Sequence, residues 1–539
     1  MPDKLESFKV IPQGGLYSGD HYLRLSDDFP GASTLLVNFE PSMFGGYRRI
    51  NGYQKLNDDH PAVGGTNAEG PVLGIFIFYN SFTKQDEIIA ARKDADANTY
   101  SFYRWVAFST WTPYSLGAIA RVFNDGDFDV TRVRAEQADF GNGNVIMFVD
   151  GVNHLLIYDG SDWTEVPNTT PNLQLLSAPS TITIFEDHVF VSGDLSKEGV
   201  IAHSAPRNPE DWDVANGAGQ LTPGFEVMNL KPFRDNLYVL GRRQIKRVQA
   251  DVTAGFLTKD VTNNVGTQFK DSLVEIGGDL MFLAPDGFRP IAGTSKIGDV
   301  EIETVSKPIR SIASELINRF DTDDLVAVVI PQKNQVRFFF SGSDTIPESA
   351  FGIIGGLVTL DSQARWEWAT TTGIRASCAT SGYVQGKEYV LHGDYDGVVY
   401  RQEVGNTFDG EPIVAVYQTP YYDMGETEIR KNYQRLQTFV RPEGPINLQI
   451  AISYDWNDSG VKSPANYARE ILGFSNVYDS DLAEYDDPLT VYGGGSRPVL
   501  QTEIQGSGRS IQATYVSVGE DAPFSIQGLV FEFGVSGRR

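Results

Sequence analysis

Residues 381–425, SGYVQGKEYVLHGDYDGVVYRQEVGNTFDGEPIVAVYQTPYYDMG, decide the fold that this sequence predicts. Two strands flank a turn at Gln385-Gly386, and the turn at residues 394–397 leads into a third strand over residues 398–402. A fourth strand is predicted over residues 413–419. β-Branched and aromatic residues fill the strands, and Gly, Asp and Asn stand at the turns. Four short antiparallel strands in about 40 residues match one blade of a β-propeller.

Weaker versions of the same hairpin precede this stretch. Each has an apolar strand, a short polar or glycine turn and a second apolar strand. The turns are predicted near Lys84-Gln85, Asp150-Gly151, Glu186-Asp187, Asp235-Asn236, Gly277-Gly278 and Lys333-Asn334. We therefore predict an all-β chain built around a propeller of about six to eight blades. Two-sheet sandwiches in tandem are the alternative, because they also contain many hairpins.

Aromatic residues and one helix complete the predicted propeller. Trp163, Trp212 and Trp366 follow hairpins, where they would wedge between neighbouring sheets and contribute roughly 2 to 3 kcal/mol each if buried. In residues 305–320 the apolar positions Ile309, Ile312, Leu316, Ile317 and Phe320 recur at helical spacing. Ser306 is the predicted N-cap, and Pro308 is tolerated in the first turn. This helix either packs on its own blade, caps the propeller or reaches a neighbouring subunit.

The chain divides into three predicted parts. Residues 1–70 form an N-terminal arm with strands, residues 71–420 the propeller, and residues 421–539 a C-terminal β-sandwich. In the last part, two long strands meet near residues 442–445, and further strands are predicted over residues 499–504, 510–517 and 526–535. The alternating pattern of FSIQGLVFEFGV indicates a strand with one buried face.

Composition limits the classes of function. The 539 residues carry 44 Lys and Arg against 70 Asp and Glu, a net charge of −26. Duplex DNA carries about one negative charge per 1.7 Å, so the chain as a whole would repel it. Cys378 is the single cysteine and is predicted to be a small buried residue, with no intrachain disulfide. Neither a signal peptide nor a membrane-spanning run is expected.

Acidic clusters are the first candidate sites, and each has a plainer interpretation as a polar turn. Residues 124–129 alternate carboxylates that could bind Ca²⁺, but they lack the remaining calcium-loop pattern. The acidic loop with Asp479, Asp481, Glu484, Asp486 and Asp487 has the same two interpretations. The triplet Asp139-Phe140-Gly141 copies a kinase motif without its other parts, so we attribute it to chance.

Histidines and basic pairs are the remaining candidates. The six histidines are His21, His60, His154, His188, His203 and His392. No two of them have metal-ligand spacing along the chain. The basic pairs Arg48-Arg49, Arg242-Arg243, Arg430-Lys431 and Arg538-Arg539 would form ion pairs or, less commonly, touch passing phosphates. We predict no catalytic residue, no metal site and no cofactor, so the chain is not expected to be an enzyme.

Three stretches resemble the tail nozzle family of short-tailed bacteriophages, also called tail tubular protein B or packaged-DNA stabilisation protein. They are LLVNFEPSMFGGYRRINGYQKL (35–56), HSAPRNPEDWD (203–213) and GDYDGVVYRQEVGNTFDGEPIVAVYQTPYYDMGETEIRKNYQRLQTFV (393–440). The resemblance implies a virion protein, made in the host cytoplasm, that forms a ring of six subunits at the distal end of the tail. This ring is expected to retain the genome DNA and then to conduct it. It also implies partner tail proteins, such as an adaptor and fibres, and genome DNA that passes through the lumen without specific binding.

Two other functions remain open at this stage. A secreted carbohydrate-binding or carbohydrate-active propeller would use exposed Trp or Tyr and paired acids, which can converge from distant blades. A tail component that contacts a host receptor is the third possibility.

Overall fold

A computed structural model describes residues 5–19, 22–43, 45–57, 63, 70–95, 97–106, 110–251, 255–291, 304–342, 345–346, 349–360, 363–471 and 499–535. Antiparallel β-strands make up most of this part of the chain, which confirms the predicted all-β class. The described α-helices are α1, Tyr22–Asp28, and α2, Arg310–Arg319. No helix of the described ranges is both long and apolar enough to cross a membrane.

Five short strands come before the first blade, and they join two different sheets. They are β1 Glu6–Val10, β2 Leu35–Val37, β3 Phe39–Pro41, β4 Tyr47–Arg49 and β5 Tyr53–Lys55.

The next strands form five self-contained blades of a propeller-like ring. The first blade is β6 Val72–Asn80, β7 Gln85–Lys93, β8 Tyr100–Val106 and β9 Thr110–Pro113. The second blade is β10 Arg134–Asp139, β11 Asn144–Val149, β12 Leu155–Tyr158 and β13 Trp163–Val166. The third blade is β14 Thr181–Phe185, β15 His188–Ser192, β16 Ile201–His203 and β17 Gly219–Leu221. The fourth blade is β18 Asn229–Phe233, β19 Asn236–Leu240, β20 Ile245–Asp251 and β21 Gly255–Thr262. The fifth blade has three strands, β22 Val274–Ile276, β23 Asp279–Ala284 and β24 Gly287–Pro290.

Two more four-stranded units belong to a larger sheet and complete the ring. The sixth unit is β25 Leu325–Ile330, β26 Gln335–Phe340, β27 Phe351–Leu360 and β28 Gln363–Thr372. The seventh is β29 Cys378–Val384, β30 Lys387–Gly393 and β31 Val399–Gln402, with β5 from the N-terminal segment as its outer strand. Inner strand β25 lies next to β22 and β29, and β29 lies next to β6. Five separate blades and two units of the larger sheet therefore surround one axis.

The remaining strands build a sandwich of two facing sheets. They are β32 Thr407–Phe408, β33 Glu411–Gln418, β34 Lys431–Pro442, β35 Ile446–Tyr454, β36 Tyr467–Ile471, β37 Val499–Glu503, β38 Ser507–Gly508, β39 Ile511–Gly519 and β40 Phe524–Val535. One sheet has the order β3-β4-β40-β34-β37, with β1 and β38 added at its sides, and the other contains β2, β33, β39, β35 and β36. Tyr433 stacks on Tyr454 between the sheets, and the hydroxyls of Thr438 and Tyr515 meet at 2.8 Å.

The prediction that residues 413–419 form the fourth strand of the last blade is wrong. The strand exists as β33, but it pairs with β2 and β39 in the sandwich. Its alternating residues Ile413, Ala415 and Tyr417 are buried in the sandwich core. Strand β5 takes the fourth place in the blade, with Tyr400 opposite Lys55 and Gln402 opposite Tyr53. Strand pairing thus crosses both predicted domain limits, and the division at residues 70 and 420 stays a prediction.

The predicted hairpins are present, with small shifts at some turns. The turns at Glu186-Asp187, Gly277-Gly278 and Gln385-Gly386 lie where they were predicted. The turn of the first blade occupies residues 81–84, and that of the fourth lies at Arg234-Asp235.

Two of the three tryptophans wedge between blades as predicted. Trp163 contacts Phe102 of the first blade at a centroid distance of 5.0 Å and stacks on Tyr158 of its own blade at 4.5 Å. Trp212 is fully buried among residues of the second and third blades. Trp366 stacks on Trp368 along its own strand at 5.6 Å, and its place between neighbouring sheets stays a prediction.

The predicted helix is present and packs on the propeller. A 3₁₀ turn at Lys307–Ile309 precedes α2, with Pro308 in its first turn. Ala313 and Leu316 are buried, and α2 contacts β24 of the fifth blade. Ser306 makes no side-chain cap, because its hydroxyl accepts the backbone N–H of Phe288 at 2.8 Å.

Candidate functional site on the propeller axis

A cavity of about 300 Å³ lies where the first strands of the seven units converge. Each unit contributes to its lining, for example through Ile75, Arg134, Ile182, Leu230, Val274, Val326 and Ala379. Blade packing creates this cavity, because straight strands that surround one axis cannot fill its centre. Groups from distant parts of the sequence meet at this cavity.

Two arginines and two aspartates form the axial cluster, which we define as Arg132, Arg134, Asp271 and Asp323. Arg134 binds Asp271 through two hydrogen bonds, Nε to Oδ1 at 2.8 Å and a terminal nitrogen to Oδ2 at 2.6 Å. Arg132 donates to Asp271 as well. It also donates to the backbone carbonyls of Leu325 at 2.8 Å and Asp323 at 2.9 Å. The cluster therefore ties the second blade to the segments that lead into the fifth blade and the sixth unit.

Local structure holds each member of the axial cluster in place. Arg134 is the first residue of β10, and Arg132 stands two residues before it. Asp271 lies in the 3₁₀ turn Lys270–Ser272, immediately before the fifth blade. These are the ends of inner strands, where backbone groups at the axis also need partners.

Ionisation of the axial cluster is fixed near neutral pH. Burial alone would raise the pKa of Asp271, but Arg134 and Arg132 hold this pKa well below its ordinary value. Burial lowers the pKa of Lys270, whose ammonium lies 3.6 Å from the Asp323 carboxylate. Since the carboxylate stays charged and guanidinium groups do not lose protons, the cluster is suited to a structural role rather than to proton transfer.

Cys378 also lines the cavity, and it is buried as predicted. Burial raises the pKa of its thiol to about 11. The reactive form of cysteine is the thiolate, so this side chain is a poor nucleophile at neutral pH.

The predicted calcium turn at residues 124–129 uses its oxygens within the turn. Asp125 accepts the backbone N–H groups of Asp127 at 3.0 Å and Phe128 at 2.9 Å. Asn124 donates its side-chain amide to Asp129 at 2.5 Å. Across the described ranges, no group of three or more His, Cys, Asp or Glu could hold a metal ion. The acidic loop at residues 479–487 lies outside these ranges.

The triplet at residues 139–141 serves the hairpin between β10 and β11. The carboxylate of Asp139 accepts the backbone N–H of Gly141 at 2.7 Å and of Gly143 at 3.2 Å.

The fold brings together two histidines, His188 and His203, that are not at metal-ligand spacing along the sequence. The rings of His188 and His203 lie 5.3 Å apart, and Nδ1 of each contacts the carbonyl of Ser204. Burial lowers the pKa of His203 to about 4 and that of His392 to about 3, so both are neutral at pH 7. His154 contacts the carbonyl of Ser177 through Nδ1, at 2.9 Å. His21 and His60 lie outside the described residues.

Several predicted basic pairs are structural. Arg48 binds Glu40 at 3.0 Å and Glu443 at 2.6 Å, and Arg242 binds Glu226 at 2.7 Å. Arg49 is buried and donates to the carbonyls of Gly519 and Asp521, and burial lowers its pKa to about 10.

The two members of the third basic pair, Arg430-Lys431, have different surroundings. Lys431 is buried and donates to the carbonyls of Asp423 and Glu426 at 2.5 Å each. Arg430 donates to Ser507 at 3.1 Å. Arg538-Arg539 lies outside the described residues.

A second buried network joins the N-terminal segment to the ring. We define the Glu40 network as Glu40, Lys333, Arg337 and Glu403. Lys333 lies 2.6 Å from Glu40 and 2.5 Å from Glu403, and Arg337 lies 3.0 Å from Glu40 and also pairs with Glu403. Burial alone would raise the pKa of Glu40, but Lys333, Arg337 and Arg48 bring it below the ordinary value. Sequence reasoning missed this network, although a lone arginine in the apolar strand QVRFFF was a signal for it.

Aspartates that follow the second strand of several blades form a further repeat, of which the predicted turns included Asp150 and Asp394 but not Asp194. Asp150 accepts the N–H of Val152 at 2.8 Å, Asp194 that of Ser196 at 2.9 Å, and Asp394 that of Asp396 at 2.9 Å. Each carboxylate stabilises the turn to the third strand of its blade.

Comparison with known proteins adds little to this geometry. No protein-family profile matches the chain, and no curated protein is significantly similar to it. Among solved structures, it is similar to one described as the extracellular domain of a hybrid two-component system from B. thetaiotaomicron. That match has 11% identity and a TM-score of 0.36, and it covers 66% of this chain and 40% of the other.

Proposed function

We propose that this chain is a structural subunit of a phage tail of the nozzle type. Copies of it form a ring, and genome DNA passes through the lumen between them. The resemblance of residues 35–56, 203–213 and 393–440 to that family supports the proposal. The proposed role includes no catalytic step and no cofactor.

The closed propeller axis is the observation that carries the proposal. Sites for single small ligands commonly occupy roughly 300 to 1,000 Å³, so an axial cavity of about 300 Å³ does not admit a DNA duplex. The guanidinium groups at the axis are bound to Asp271 and to backbone carbonyls, which leaves few donors for a phosphate. A propeller of this kind acts as a solid wall, and the DNA path has to run between subunits.

The charge of the chain fits a wall that DNA does not bind. Tight binding to nucleic acid requires Lys and Arg at the phosphates, and the net charge here is −26. Among the basic pairs, Arg48, Arg49 and Lys431 are taken up by interior contacts. A passing duplex therefore meets a surface with an excess of carboxylates.

Light scattering coupled to size-exclusion chromatography, followed by electron microscopy of the full chain, tests the ring. We expect a closed ring with a central lumen and no retention of duplex DNA at about 0.15 M salt. A protein that stays monomeric at every concentration, or a monomer that cleaves polysaccharide on a substrate array, contradicts the proposal. A ring whose lumen is lined mainly by Lys and Arg would contradict the non-binding wall.

A further inference from the structure

The outer side of one sandwich sheet carries an aliphatic surface, the valine face. It consists of Leu35 and Val37 on β2, Val414 and Val416 on β33, and Val516 and Val518 on β39. Val414 and Val518 are 46% and 52% exposed, and Leu35 is 40% exposed. Large apolar side chains at such exposure cost free energy in water, so their clustering on one surface indicates a contact surface.

Strand register makes the valine face continuous. Val414 lies opposite Val518, Val416 opposite Val516, and Val37 opposite Val416. On the next strand, β35, the outward residues are the uncharged Gln449, Ala451 and Ser453. The outward positions 514–518 and 412–418 likewise carry no charge, in a chain whose net charge is −26.

The opposite side of the same sandwich carries a second apolar surface, the phenylalanine patch. It consists of Phe439 on β34, Val499 on β37, and Gly528 and Val530 on β40. Phe439 lies directly opposite both Val499 and Gly528 in the sheet, and it is 38% exposed. The Phe439 ring lies beside Gly528, where a Cβ atom would come within 3.4 Å of it.

We propose that the valine face of one copy packs against the phenylalanine patch of a second copy of this chain. Charge supports this occupant, since the residues that form the two surfaces carry no carboxylate, and Glu532, which borders the phenylalanine patch, is paired with Arg435. The two surfaces differ and lie on opposite sides of one sandwich, so the contact is heterologous. Repetition of a heterologous contact generates a ring when the rotation between copies closes, and an open filament when it does not. This inference rests on the proposed ring and assigns the contact that closes it.

The size of the surfaces agrees with a contact centre. Strands lie about 4.8 Å apart and alternate side chains about 6.8 Å apart, so the six outward residues of the valine face cover roughly 200 Å². A standard interface buries about 800 Å² on each partner, with a polar rim around an apolar centre. Polar residues at the margin, such as Gln437, Gln501 and Gln418, are suited to that rim.

Single charge substitutions test the contact in the full chain. Val414→Glu places a carboxylate in the valine face, and Phe439→Glu places one in the phenylalanine patch. Val214→Glu is the matched control, because Val214 is 61% exposed in a turn of the third blade, away from both surfaces. We expect each interface variant to need at least about tenfold more protein for assembly, while the control assembles like the unsubstituted chain. If Val414→Glu does not fold, Val518→Glu on the adjacent strand repeats the test.

Mixing the two variants gives the sharpest result. The Val414→Glu chain keeps an intact phenylalanine patch, and the Phe439→Glu chain keeps an intact valine face. The mixture should therefore form a one-to-one pair and no larger assembly. Light scattering or native mass spectrometry measures this. A ring that both substitutions leave intact, or a mixture that stays monomeric or builds full rings, overturns the inference while the proposed function stands. An unsubstituted chain that never assembles overturns both.

Discussion

At the scale of single residues, the fold depends on charges that are buried but paired. Asp271 balances Arg132 and Arg134 at the axis, and Arg337 lies between Glu40 and Glu403 where the N-terminal segment meets the ring. A buried charge without its partner costs much more free energy than an exposed one. Ionic pairs therefore keep the blades in place together with the apolar cores.

Asp271→Asn should destabilise the chain strongly. The substitution removes the carboxylate from two buried guanidinium groups, and we expect the free energy of unfolding to fall by about 3 kcal/mol. Asp187→Asn is the matched control, because Asp187 pairs with Arg207 with both side chains more than half exposed, at 56% and 71%. The control should lose at most about 1 kcal/mol. Equal midpoints of the two variants in chemical denaturation would contradict a structural role for the axial cluster.

Asp394 should make stability depend on pH. Burial, together with the neighbouring carboxylate of Asp396, raises the pKa of Asp394 from 3.8 to about 6, although Arg375 nearby lowers it. Below about pH 4 the carboxyl is protonated whether the chain is folded or unfolded. As the pH rises through 6, the folded chain has to hold a buried carboxylate, and this part of its stability is lost.

Asp394→Asn should remove that loss. The Oδ1 atom of asparagine can still accept the N–H groups of Asp396 and Val398, each at 2.9 Å. The variant should match the unsubstituted chain at pH 4 and exceed it at pH 7 by on the order of 2 kcal/mol in free energy of unfolding. Denaturation curves at a series of pH values provide the measurement, and parallel pH profiles would show that Asp394 is not the titrating group.

At the scale of elements, local patterns were predictable and distant pairings were not. The turns at Glu186-Asp187 and Gln385-Gly386 were predicted correctly, because a hairpin is specified by residues next to one another. The outer strand of the seventh unit was missed, because β5 and β31 are distant in sequence and three residues carry no long-range signal. The axial cluster was missed for the same reason, since Arg134 and Asp271 lie 137 positions apart.

Gly52→Ala should loosen the closure of the seventh unit. A Cβ atom at Gly52 would lie 1.8 Å from the carbonyl oxygen of Thr407, so β5 would have to shift away from the chain beside it. We expect a loss of about 1 to 3 kcal/mol in the free energy of unfolding and faster amide hydrogen exchange in residues 399–402. Gly342→Ala is the control, since its Cβ would meet Asp324 at an ordinary 3.6 Å. Unchanged exchange in Gly52→Ala would mean that β5 does not hold the blade closed.

At the scale of the whole molecule, the ring and the sandwich share the N-terminal segment. Strand β5 completes the ring, while β2, β3 and β4 pair within the sandwich sheets. Arg48 of the same segment binds Glu443 in the sandwich. Because one segment is needed in both, the two parts of the fold should lose structure together.

Salt should raise the melting temperature of the whole chain. A net charge of −26 repels itself over distances that salt screens, and the Debye length falls from about 30 Å at 0.01 M to about 8 Å at 0.15 M. The axial cluster and the Glu40 network are buried and are screened much less. Thermal unfolding measured by circular dichroism across this range should show a steady increase. A decrease would mean that attraction between exposed charges outweighs the repulsion.

The closing strand also sets the order of events during translation. Tyr53 donates its hydroxyl to the carbonyl of Gly373, which is 320 positions away. At about 5 to 20 residues per second, a ribosome needs roughly 16 to 64 seconds to make that partner. Strand β31, which pairs with β5, is made later still, so until then β5 has no partner strand in the propeller. A messenger truncated within the last blade therefore yields a chain whose propeller cannot close, because the strand that pairs with β5 is missing.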